Sequence, residues 1–579
     1  MSDAELIDCC WGIKIPLRDG VGLSAILYTP RDQREPQPCL FAMTPYAADS
    51  YHEQGMYFAA HGLPFVIVDV RGRGNSGGLF RPFIQEGKDG YDVTEWLARQ
   101  AYCDGRVAMW GGSYLGSSQW ASAKERPPHL TTIVPTASAH AAVDFPMRNN
   151  VFYPYIARWL LITSGHTYQR TICHDEKFWS VMNSRWHESG RPFRDFDTLL
   201  GTALPVFQEW LQHPEPDEYW DAYGLSADEY RALEIPILTI TGVYDADQPG
   251  ALEYYREHMR YASPEGRSRH YLIVGPWDHA GTVSPRRTFG GIQCADAGVL
   301  DLARLHLEWY AWVMGRAPRP EFLKDRVAYY VMGAERWRYV EKLEDVTSRC
   351  VPFFLDSLGD ATDVFRSGAM SETPGKGPPD SFRYDPGDTS GPELAAEACA
   401  DAASLVDQTQ LYAMNGRQVI YQSSPFEEDT EISGFFSLSV WVAIDCPDTD
   451  LYASVHDVGL DGGSVQMSTD VMRARYREGL RTPKLITDPL PRRYDFNRFT
   501  FVSREVKRGH RLRLVICPVG RIGATTFTEK NYNAGGVVAQ ESVSDARAVT
   551  VTVFHDAERV SALYVPLGRP DPSPAEPDR

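Results

Sequence analysis

The sequence lacks the segments by which a chain enters or crosses a membrane. Its first ten residues, MSDAELIDCC, contain neither a basic stretch nor an apolar one. No run along the 579 residues reaches the roughly 18–20 apolar residues of a membrane span. This pattern predicts a cytoplasmic protein with no membrane partner.

Positive charge is also scarce. Lysine and arginine number 58 against 77 aspartates and glutamates, which gives a formal net charge of −19. No basic stripe interrupts this excess, so a nucleic-acid partner is excluded as the basis of function. An acidic surface keeps a protein soluble and suits a cationic ligand.

Cysteines with metal-ligand spacing are absent. The ten cysteines are scattered, and none forms a CxxC pair. They are therefore expected to be reduced and mostly buried structural thiols, and no metal is predicted. A glycine pattern, Gly72–Gly77 (GRGNSG), follows a predicted strand as a dinucleotide loop would. The next residues, GLFRPFIQEG, do not open an amphipathic helix, so no cofactor is predicted.

The sequence does contain apolar runs that alternate with helical patterns. A chain of 579 residues predicts two to four domains. Continuous β-branched runs without polar alternation are typical of strands buried on both faces of a parallel sheet. The runs are PCLFAMTPY, LPFVIVDVRG, GRVAMWGGS, TTIVPTAS, IPILTITGVYD and RHYLIVGPWDH. This alternation predicts a doubly wound α/β sheet.

Two regions depart from that pattern. Between residues 144 and 234 the spacing is helical and rich in aromatics, which predicts a helical insertion. After residue 349, short alternating runs separated by turn signals, such as FFSLSVWVAI and AVTVTVFHD, predict a β jelly roll.

The stretch WGGSYLG places Ser113 where a predicted strand meets a predicted helix. A nucleophilic serine needs such a strained turn, with small neighbours that let the chain fold tightly. The spacing here is G-G-S-x-x-G rather than G-x-S-x-G. The alternative is a serine that only caps the helix.

Two later strands raise the probability of catalysis. ILTITGVYD ends in Asp245, and YLIVGPWDH ends at His279. Ser113, Asp245 and His279 thus follow one another in the order typical of α/β-hydrolase triads. All three follow strands, and open α/β sheets place their sites at the carboxyl ends of strands.

With these motifs together, the chain resembles the CocE/NonD hydrolases. This family includes cocaine esterase, α-amino acid ester hydrolases and Xaa-Pro dipeptidyl peptidases. The resemblance rests on VDVRGRGNSGG, EGKDGYDVTEWLARQ, DGRVAMWGGSYLG, GVYDAD, GPWDH and CPDTDLYASVHDV. It implies an α/β-hydrolase core over 1–143 and 235–349, a helical cap over 144–234 and a C-terminal jelly roll over 350–579.

The resemblance also implies roles for individual residues. Ser113 matches the nucleophile, Asp245 the triad acid and His279 the base. Tyr46 matches the tyrosine whose hydroxyl completes the oxyanion hole, and the backbone N–H of Tyr114 would supply the second donor.

Substrate contacts are expected beside the triad and in the cap. In α-amino acid ester hydrolases the position of Asp247 carries one of the carboxylates that hold the substrate's ammonium. Asp144 is the nearest candidate for a carboxylate from the cap, although it lies about three residues out of register. Tyr153 and Trp159 are candidates for lining the pocket, with packing of the cap helices as the alternative.

The expected function is therefore a serine hydrolase that cleaves an ester or amide acyl bond of a small molecule. A carboxylic or α-amino acid ester is favoured, and a peptidase of the Xaa-Pro type or an acyltransferase is the alternative. A non-catalytic carbohydrate-binding protein ranks last, since the order Ser, Asp, His argues against it. A homo-oligomer is compatible with the resemblance.

Overall fold

The computed structural model describes residues 3–388, 403–519, 521–522 and 526–569. Its first segment begins with an antiparallel pair around a turn and continues with alternating strands and helices. The strands are β1 (Ile7–Pro16), β2 (Gly22–Pro30), β3 (Gln37–Thr44), β4 (Phe65–Asp69), β5 (Cys103–Gly112) and β6 (Leu130–Thr136). The helices are α1 (Asp3–Leu6), α2 (His52–Ala60), α3 (Glu86–Leu97) and α4 (Tyr114–Lys124).

The next segment is mostly helical, as predicted, but it begins with a hairpin that the helical pattern did not predict. The hairpin consists of β7 (Met147–Arg148) and β8 (Val151–Phe152). The helices are α5 (Tyr155–Ile162), α6 (Arg170–Cys173), α7 (Glu176–Ser189), α8 (Phe196–Leu199), α9 (Pro205–Trp210), α10 (Glu218–Asp221) and α11 (Ala227–Arg231).

The chain then returns to the first sheet. The strands are β9 (Ile237–Tyr244), β10 (His270–Asp278), β11 (Thr288–Phe289), β12 (Ile292–Gln293), β13 (Val327–Val331) and β14 (Arg336–Val340). Of these, β11 and β12 pair only with each other, in a separate two-stranded sheet. The helices are α12 (Gln248–Tyr261), α13 (Pro264–Ser268) and α14 (Leu302–Val313). The strand order is β1-β2-β4-β3-β5-β6-β9-β10-β13-β14, and neighbours from β4 to β13 run parallel. Helices cover this sheet, so its central strands are buried along almost their whole length.

The remaining described residues form a second large sheet assembly, the β-rich C-terminal domain. Its strands are β15 (Arg349–Asp356), β16 (Gly368–Ser371), β17 (Asp380–Tyr384), β18 (Val419–Ser423), β19 (Thr430–Gly434), β20 (Ser437–Ile444), β21 (Asp450–Val458), β22 (Ser464–Arg473), β23 (Arg492–Phe496), β24 (Val502–Val506), β25 (Arg511–Cys517), β26 (Arg521–Ile522), β27 (Thr526–Phe527), β28 (Val549–Phe554) and β29 (Ala562–Leu567). One short helix, α15 (Thr409–Ala413), precedes β18. Burial alternates along strands such as β17 and β28, because one face packs on the domain's own core.

The hairpin β7–β8 docks the cap segment onto the C-terminal domain. Asn149 and Asn150 both have positive φ, 49° and 66°, as a tight two-residue hairpin turn requires. The Asn149 amide donates to the Asp470 carboxylate at 2.9 Å, and Arg473 donates to the Asn150 carbonyl at 3.1 Å. These bonds join residues more than 300 positions apart in sequence.

Six of the nine cysteines within the described residues are buried, and their expected reduced state stays a prediction. Cys399 lies outside the described residues. No described helix is long and apolar enough to cross a membrane. No group of three or more His, Cys, Asp or Glu side chains in the described part of the chain has the arrangement of a metal site.

Candidate active site

Ser113 lies at the sharp turn between β5 and α4. Its φ is 62° and its ψ is −126°, a strained conformation for a residue with a side chain. The flanking glycines allow the turn to close. A Cβ on Gly111 would lie 2.5 Å from the Leu115 Cβ, and one on Gly116 would lie 2.4 Å from the Ser138 Oγ. This is the geometry that presents a nucleophilic hydroxyl at the edge of an α/β sheet.

The capping alternative for Ser113 fails in the structure. The residue occupies the N-cap position of α4, but its side chain makes no capping hydrogen bond. The hydroxyl instead lies close to the Tyr46 hydroxyl, where it helps lower the pKa of that phenol. The N–H of Tyr114 is the first of the helix, and first-turn N–H groups have no partner within their own helix.

Asp245 and His279 follow the adjacent strands β9 and β10 and form a close pair. Nδ1 of His279 lies 2.7 Å from Oδ1 of Asp245, whose side chain is fully buried. Oδ2 of Asp245 accepts the Thr241 hydroxyl at 2.8 Å, which fixes the carboxylate. With its proton on Nδ1, the imidazole leaves Nε2 free to accept another.

The Ser113 hydroxyl and Nε2 of His279 form no hydrogen bond within the described residues. In enzymes without bound substrate this bond is often long and tightens only in the Michaelis complex. The structure therefore presents the histidine–aspartate half of a triad ready-formed, beside a strained serine. The catalytic roles of Ser113, Asp245 and His279 stay predictions.

Asp247 places a second carboxylate beside the histidine. Its Oδ2 lies 3.8 Å from Nδ1 of His279, and its backbone N–H donates to Asp245 Oδ1 at 3.0 Å. Burial raises the pKa of Asp247, while the histidine's charge opposes that rise. Burial disfavours the charged form of His279, but the charges of Asp247 and Asp245 together raise the pKa of the imidazole.

Asp144 is buried and lies close enough to Asp247 for their charges to interact. Its two carboxylate oxygens accept the backbone N–H groups of His140, at 2.8 Å, and of Gly250, at 2.5 Å. Burial raises its pKa, and the charge of Asp247 raises it further, so the two carboxylates sense each other. Asp144 thus ties the 140–144 loop to the start of α12 and places a buried acidic group near Asp247.

Tyr46 and Trp159 are joined by a hydrogen bond. The Trp159 indole N–H donates to the Tyr46 hydroxyl at 3.0 Å. Because that oxygen accepts from the indole, its own O–H remains available to donate. Burial raises the pKa of Tyr46 to about 12, which keeps the phenol protonated. Trp159, expected to line the pocket, is buried and also packs on the Tyr114 ring at 5.7 Å.

The side chains of Tyr153 and Gln248 form hydrogen bonds with backbone groups around the site. The Tyr153 hydroxyl donates to the Asp144 backbone carbonyl, and its contact with substrate stays a prediction. The Gln248 amide donates to the carbonyls of Gly242, Val243 and Phe501, and its oxygen accepts the Phe501 N–H at 2.6 Å. Gln248 therefore joins the first sheet to the C-terminal domain and is not free to bind substrate.

Two buried charged residues near the site were missed from the sequence. Arg73, within GRGNSG, donates to the carbonyl of Pro45, the residue before Tyr46, at 2.8 Å, and to the carbonyls of Gly165 and Thr167 in the cap. Glu86 accepts the Tyr114 hydroxyl, and burial raises its pKa to about 7. The only sequence signal for Arg73 was its place in a glycine motif that did not fit a cofactor.

The loop GRGNSG does not have the geometry of a dinucleotide-binding loop. After β4 the chain runs through GRGNSG and reaches no helix until α3 begins at Glu86. A Cβ on Gly74 would overlap the Asp69 carboxylate, so this glycine serves close packing of the loop. No helix N-terminus stands where a pyrophosphate would bind.

Comparison with protein families matches two adjoining models. Residues 19–281 match the X-Pro dipeptidyl-peptidase family S15, and residues 323–517 match the X-Pro dipeptidyl-peptidase C-terminal non-catalytic domain. The chain is a serine hydrolase that carries both of these regions and is similar to cocaine esterase, as its resemblance to the CocE/NonD hydrolases implied. It is an enzyme of the α/β-hydrolase fold with a C-terminal β-rich domain, as its motifs predicted.

Individual relatives match this chain over nearly its full length. Cocaine esterase of Rhodococcus sp. (strain MB1 Bresler) is 26% identical and aligns with 96% of this chain and 98% of its own. A solved α-amino acid ester hydrolase superposes with a TM-score of 0.82 at 19% identity, covering 98% of both chains. A CocE/NonD family hydrolase from Staphylococcus aureus gives a TM-score of 0.68 at 15% identity, covering 97% of this chain and 94% of the other.

Proposed function

We propose that this serine hydrolase cleaves carboxylic esters through an acyl-enzyme and prefers acyl groups that carry a protonated α-amino group. The observation that carries the proposal is the pairing of His279 with Asp245 at 2.7 Å, with a second carboxylate, Asp247, 3.8 Å from the same ring nitrogen. The first carboxylate orients a base, and the second places a further acidic group beside it.

The reaction uses residues at the ends of three strands. The Ser113 oxygen attacks the ester carbonyl carbon while Nε2 of His279 takes the hydroxyl proton. Asp245 holds the imidazole in the required tautomer and stabilises the imidazolium. Collapse of the tetrahedral intermediate breaks the bond to the alcohol oxygen, which leaves with the proton from His279. Water, activated by the same imidazole, then releases the acid and restores Ser113.

The negative charge that develops on the carbonyl oxygen needs donors fixed in advance. The Tyr46 hydroxyl, held through its accepted bond from Trp159, is one donor. The first N–H of α4, on Tyr114, is the other. Each donor of this kind contributes on the order of 3 kcal/mol to transition-state stabilisation.

The preference for an α-ammonium follows from charge. Asp245 and Asp247 both lie within 4 Å of Nδ1 of His279, and the charge of Asp247 raises the pKa of both His279 and the nearby Asp144. An ammonium on the acyl group would relieve this excess. A charge pair of this kind, shielded from water, contributes about 1–3 kcal/mol.

The test is a pair of substrates that differ at the α-nitrogen, which is a charged ammonium in one and a neutral acetamide in the other. We expect kcat/KM for L-phenylalanine methyl ester, at a pH where its amine is protonated, to exceed that of N-acetyl-L-phenylalanine methyl ester by about 10–100-fold, since about 1.4 kcal/mol is tenfold. Equal values would end the ammonium preference and leave a general esterase. Faster release of an acylated product with an added amine would favour acyl transfer, and faster cleavage of an Xaa-Pro anilide would favour the peptidase alternative.

Two finer expectations stay predictions. We infer a cytoplasmic location and, from the resemblance alone, a homo-oligomer. Fractionation of the native source and sedimentation of the purified protein test them.

A further inference from the structure

The loop GRGNSG, which no step of the proposed reaction uses, carries a fully buried arginine, Arg73. Its Nε donates to the carbonyl of Pro45 at 2.8 Å, while its Nη1 and Nη2 donate to the carbonyls of Gly165 and Thr167. Burial lowers the pKa of Arg73 to about 10, so the guanidinium stays cationic at neutral pH. One charged side chain therefore joins the residue before Tyr46 to the cap.

The turn that follows Tyr46 is strained. Ala47 has a φ of 66°, a positive value that residues with a side chain rarely adopt. Such a conformation persists only where the surrounding structure holds it in place. If that support is removed, the turn is free to relax, and the Tyr46 hydroxyl moves with it.

Two charged side chains hold this turn from both ends. Arg73 bonds to the carbonyl of Pro45, the residue before Tyr46. The Asp69 carboxylate, at the end of β4, accepts the N–H of Ala48, two residues after Tyr46, at 2.8 Å. Hydrogen bonds with an ionised partner are the stronger ones in proteins. The segment from β4 to the glycine loop thus fixes the backbone on either side of Tyr46.

The same loop fixes the cap segment 165–168. In addition to the two carbonyls that the arginine bonds, Nδ1 of His166 lies 3.1 Å from the carbonyl of Gly74. The ring of Tyr168 packs on the ring of Tyr46, with 5.3 Å between their centroids. The arginine therefore bonds both to the turn that carries the Tyr46 hydroxyl and to the segment that packs on the Tyr46 ring.

We propose that Arg73 is a positioning residue of the oxyanion hole, which holds the Tyr46 hydroxyl where the ester's carbonyl oxygen develops its negative charge. It acts through the turn and through the cap segment 165–168, and it does not touch the substrate. The inference rests on the role proposed above for Tyr46. A misplacement of about 1 Å in a group of this kind can cost about 100-fold in rate.

The substitution Arg73→Lys tests the inference without removing the buried charge. Lysine has a methylene where arginine has Nε, so the bond to the Pro45 carbonyl is lost, while an ammonium remains near the cap carbonyls. We expect kcat for p-nitrophenyl acetate, per site titrated with a fluorophosphonate, to fall about tenfold. KM should change less than about twofold, because the lost interaction matters only in the transition state.

Arg477→Lys is the matched control. The Arg477 side chain is also nearly buried, and it donates to the carbonyls of Ala474 and Lys484 within the C-terminal domain. This variant should keep the wild-type kcat per titrated site. A loss equal to that of Arg73→Lys would overturn the inference, because kcat would then follow any disturbed arginine.

The double variant Tyr46→Phe/Arg73→Lys separates positioning from a merely structural role. If the arginine acts through the Tyr46 hydroxyl, its replacement should change kcat by less than about twofold once that hydroxyl is gone. A further tenfold loss in the double variant would overturn the inference. A wild-type kcat in Tyr46→Phe would overturn the role of Tyr46 and this inference with it. A loss in Tyr46→Phe together with a wild-type kcat in Arg73→Lys would overturn this inference alone.

Discussion

The substitution Asp247→Asn separates two effects of one carboxylate. It keeps the side chain's shape and the backbone bond to Asp245, but it removes a negative charge 3.8 Å from Nδ1 of His279. That charge raises the pKa of His279 and, in our proposal, also holds the substrate's ammonium. The first effect should alter every substrate, and the second only cationic ones.

The size of each effect follows from distance and exposure. Two unit charges about 4 Å apart interact by about 1 kcal/mol in water and about 4 kcal/mol at an effective dielectric constant of 20. The His279 side chain is 42% exposed, so the lower part of that range applies. A loss of about 1–2 kcal/mol lowers the histidine pKa by about one. Because the neutral imidazole is the base, the acidic limb of activity should move to lower pH by that amount.

Two assays measure these effects separately. The pH profile of kcat/KM with p-nitrophenyl acetate reports the histidine alone, since this substrate carries no charge. The ratio of kcat/KM for L-phenylalanine methyl ester to that for its N-acetyl derivative, at one pH, reports the ammonium. We expect the ratio to fall about 10–100-fold in Asp247→Asn.

Asp278→Asn is the matched control. Asp278 also raises the pKa of His279, but it is paired with Arg286, and its Oδ1 accepts the Gly281 N–H at 2.9 Å, which an asparagine retains. This variant should move the acidic limb slightly and leave the substrate ratio unchanged. An unmoved acidic limb in Asp247→Asn would refute the electrostatic argument, and an unchanged ratio would refute the ammonium site.

Three further variants test the oxyanion hole and the contact between domains. Tyr46→Phe removes a donor and should lower kcat about 100-fold with little change in KM, and a kcat within twofold of wild type would exclude the role. Trp159→Phe removes only the bond that orients the Tyr46 hydroxyl, so a smaller loss of kcat, about 3–10-fold, is expected from a neutral hydrogen bond of about 1 kcal/mol. Gln248→Leu leaves the Phe501 N–H and three carbonyls without their partner and should destabilise the fold by about 2–4 kcal/mol, read as a lower urea midpoint. An unchanged midpoint would show that water replaces those bonds.

Much of the hydrolase core was predictable because its signals are local. The apolar runs from PCLFAMTPY to RHYLIVGPWDH all form strands of one sheet, since full burial on both faces demands continuous apolar residues. The strained turn at Ser113 was visible through its glycine neighbours. Asp245 and His279 were predictable because each directly follows such a strand.

The parts that were not predictable depend on distant contacts. The hairpin β7–β8 is two residues per strand and is stabilised by bonds to β22, more than 300 positions away. The strand β13 (VAYYV) is only five residues long, and its outer neighbour β14 (RWRYV) mixes aromatic and charged residues, so neither stands out locally. In the sequence alone, Arg73 and Glu86 are indistinguishable from surface charges. Folding buries Arg73 against the Pro45 carbonyl and Glu86 against the Tyr114 hydroxyl. The Gln248 side chain bonds to the backbone of Phe501, 253 positions away, and no local pattern predicts that contact.

The central claim is that Ser113 is the nucleophile of a serine hydrolase, and active-site labelling tests it most directly. A fluorophosphonate should label the wild-type protein once, with the added mass on the peptide that contains Ser113, while Ser113→Ala remains unlabelled and inactive but folded. Label on another residue, or a Ser113→Ala protein that hydrolyses p-nitrophenyl acetate at the wild-type rate, would contradict the account.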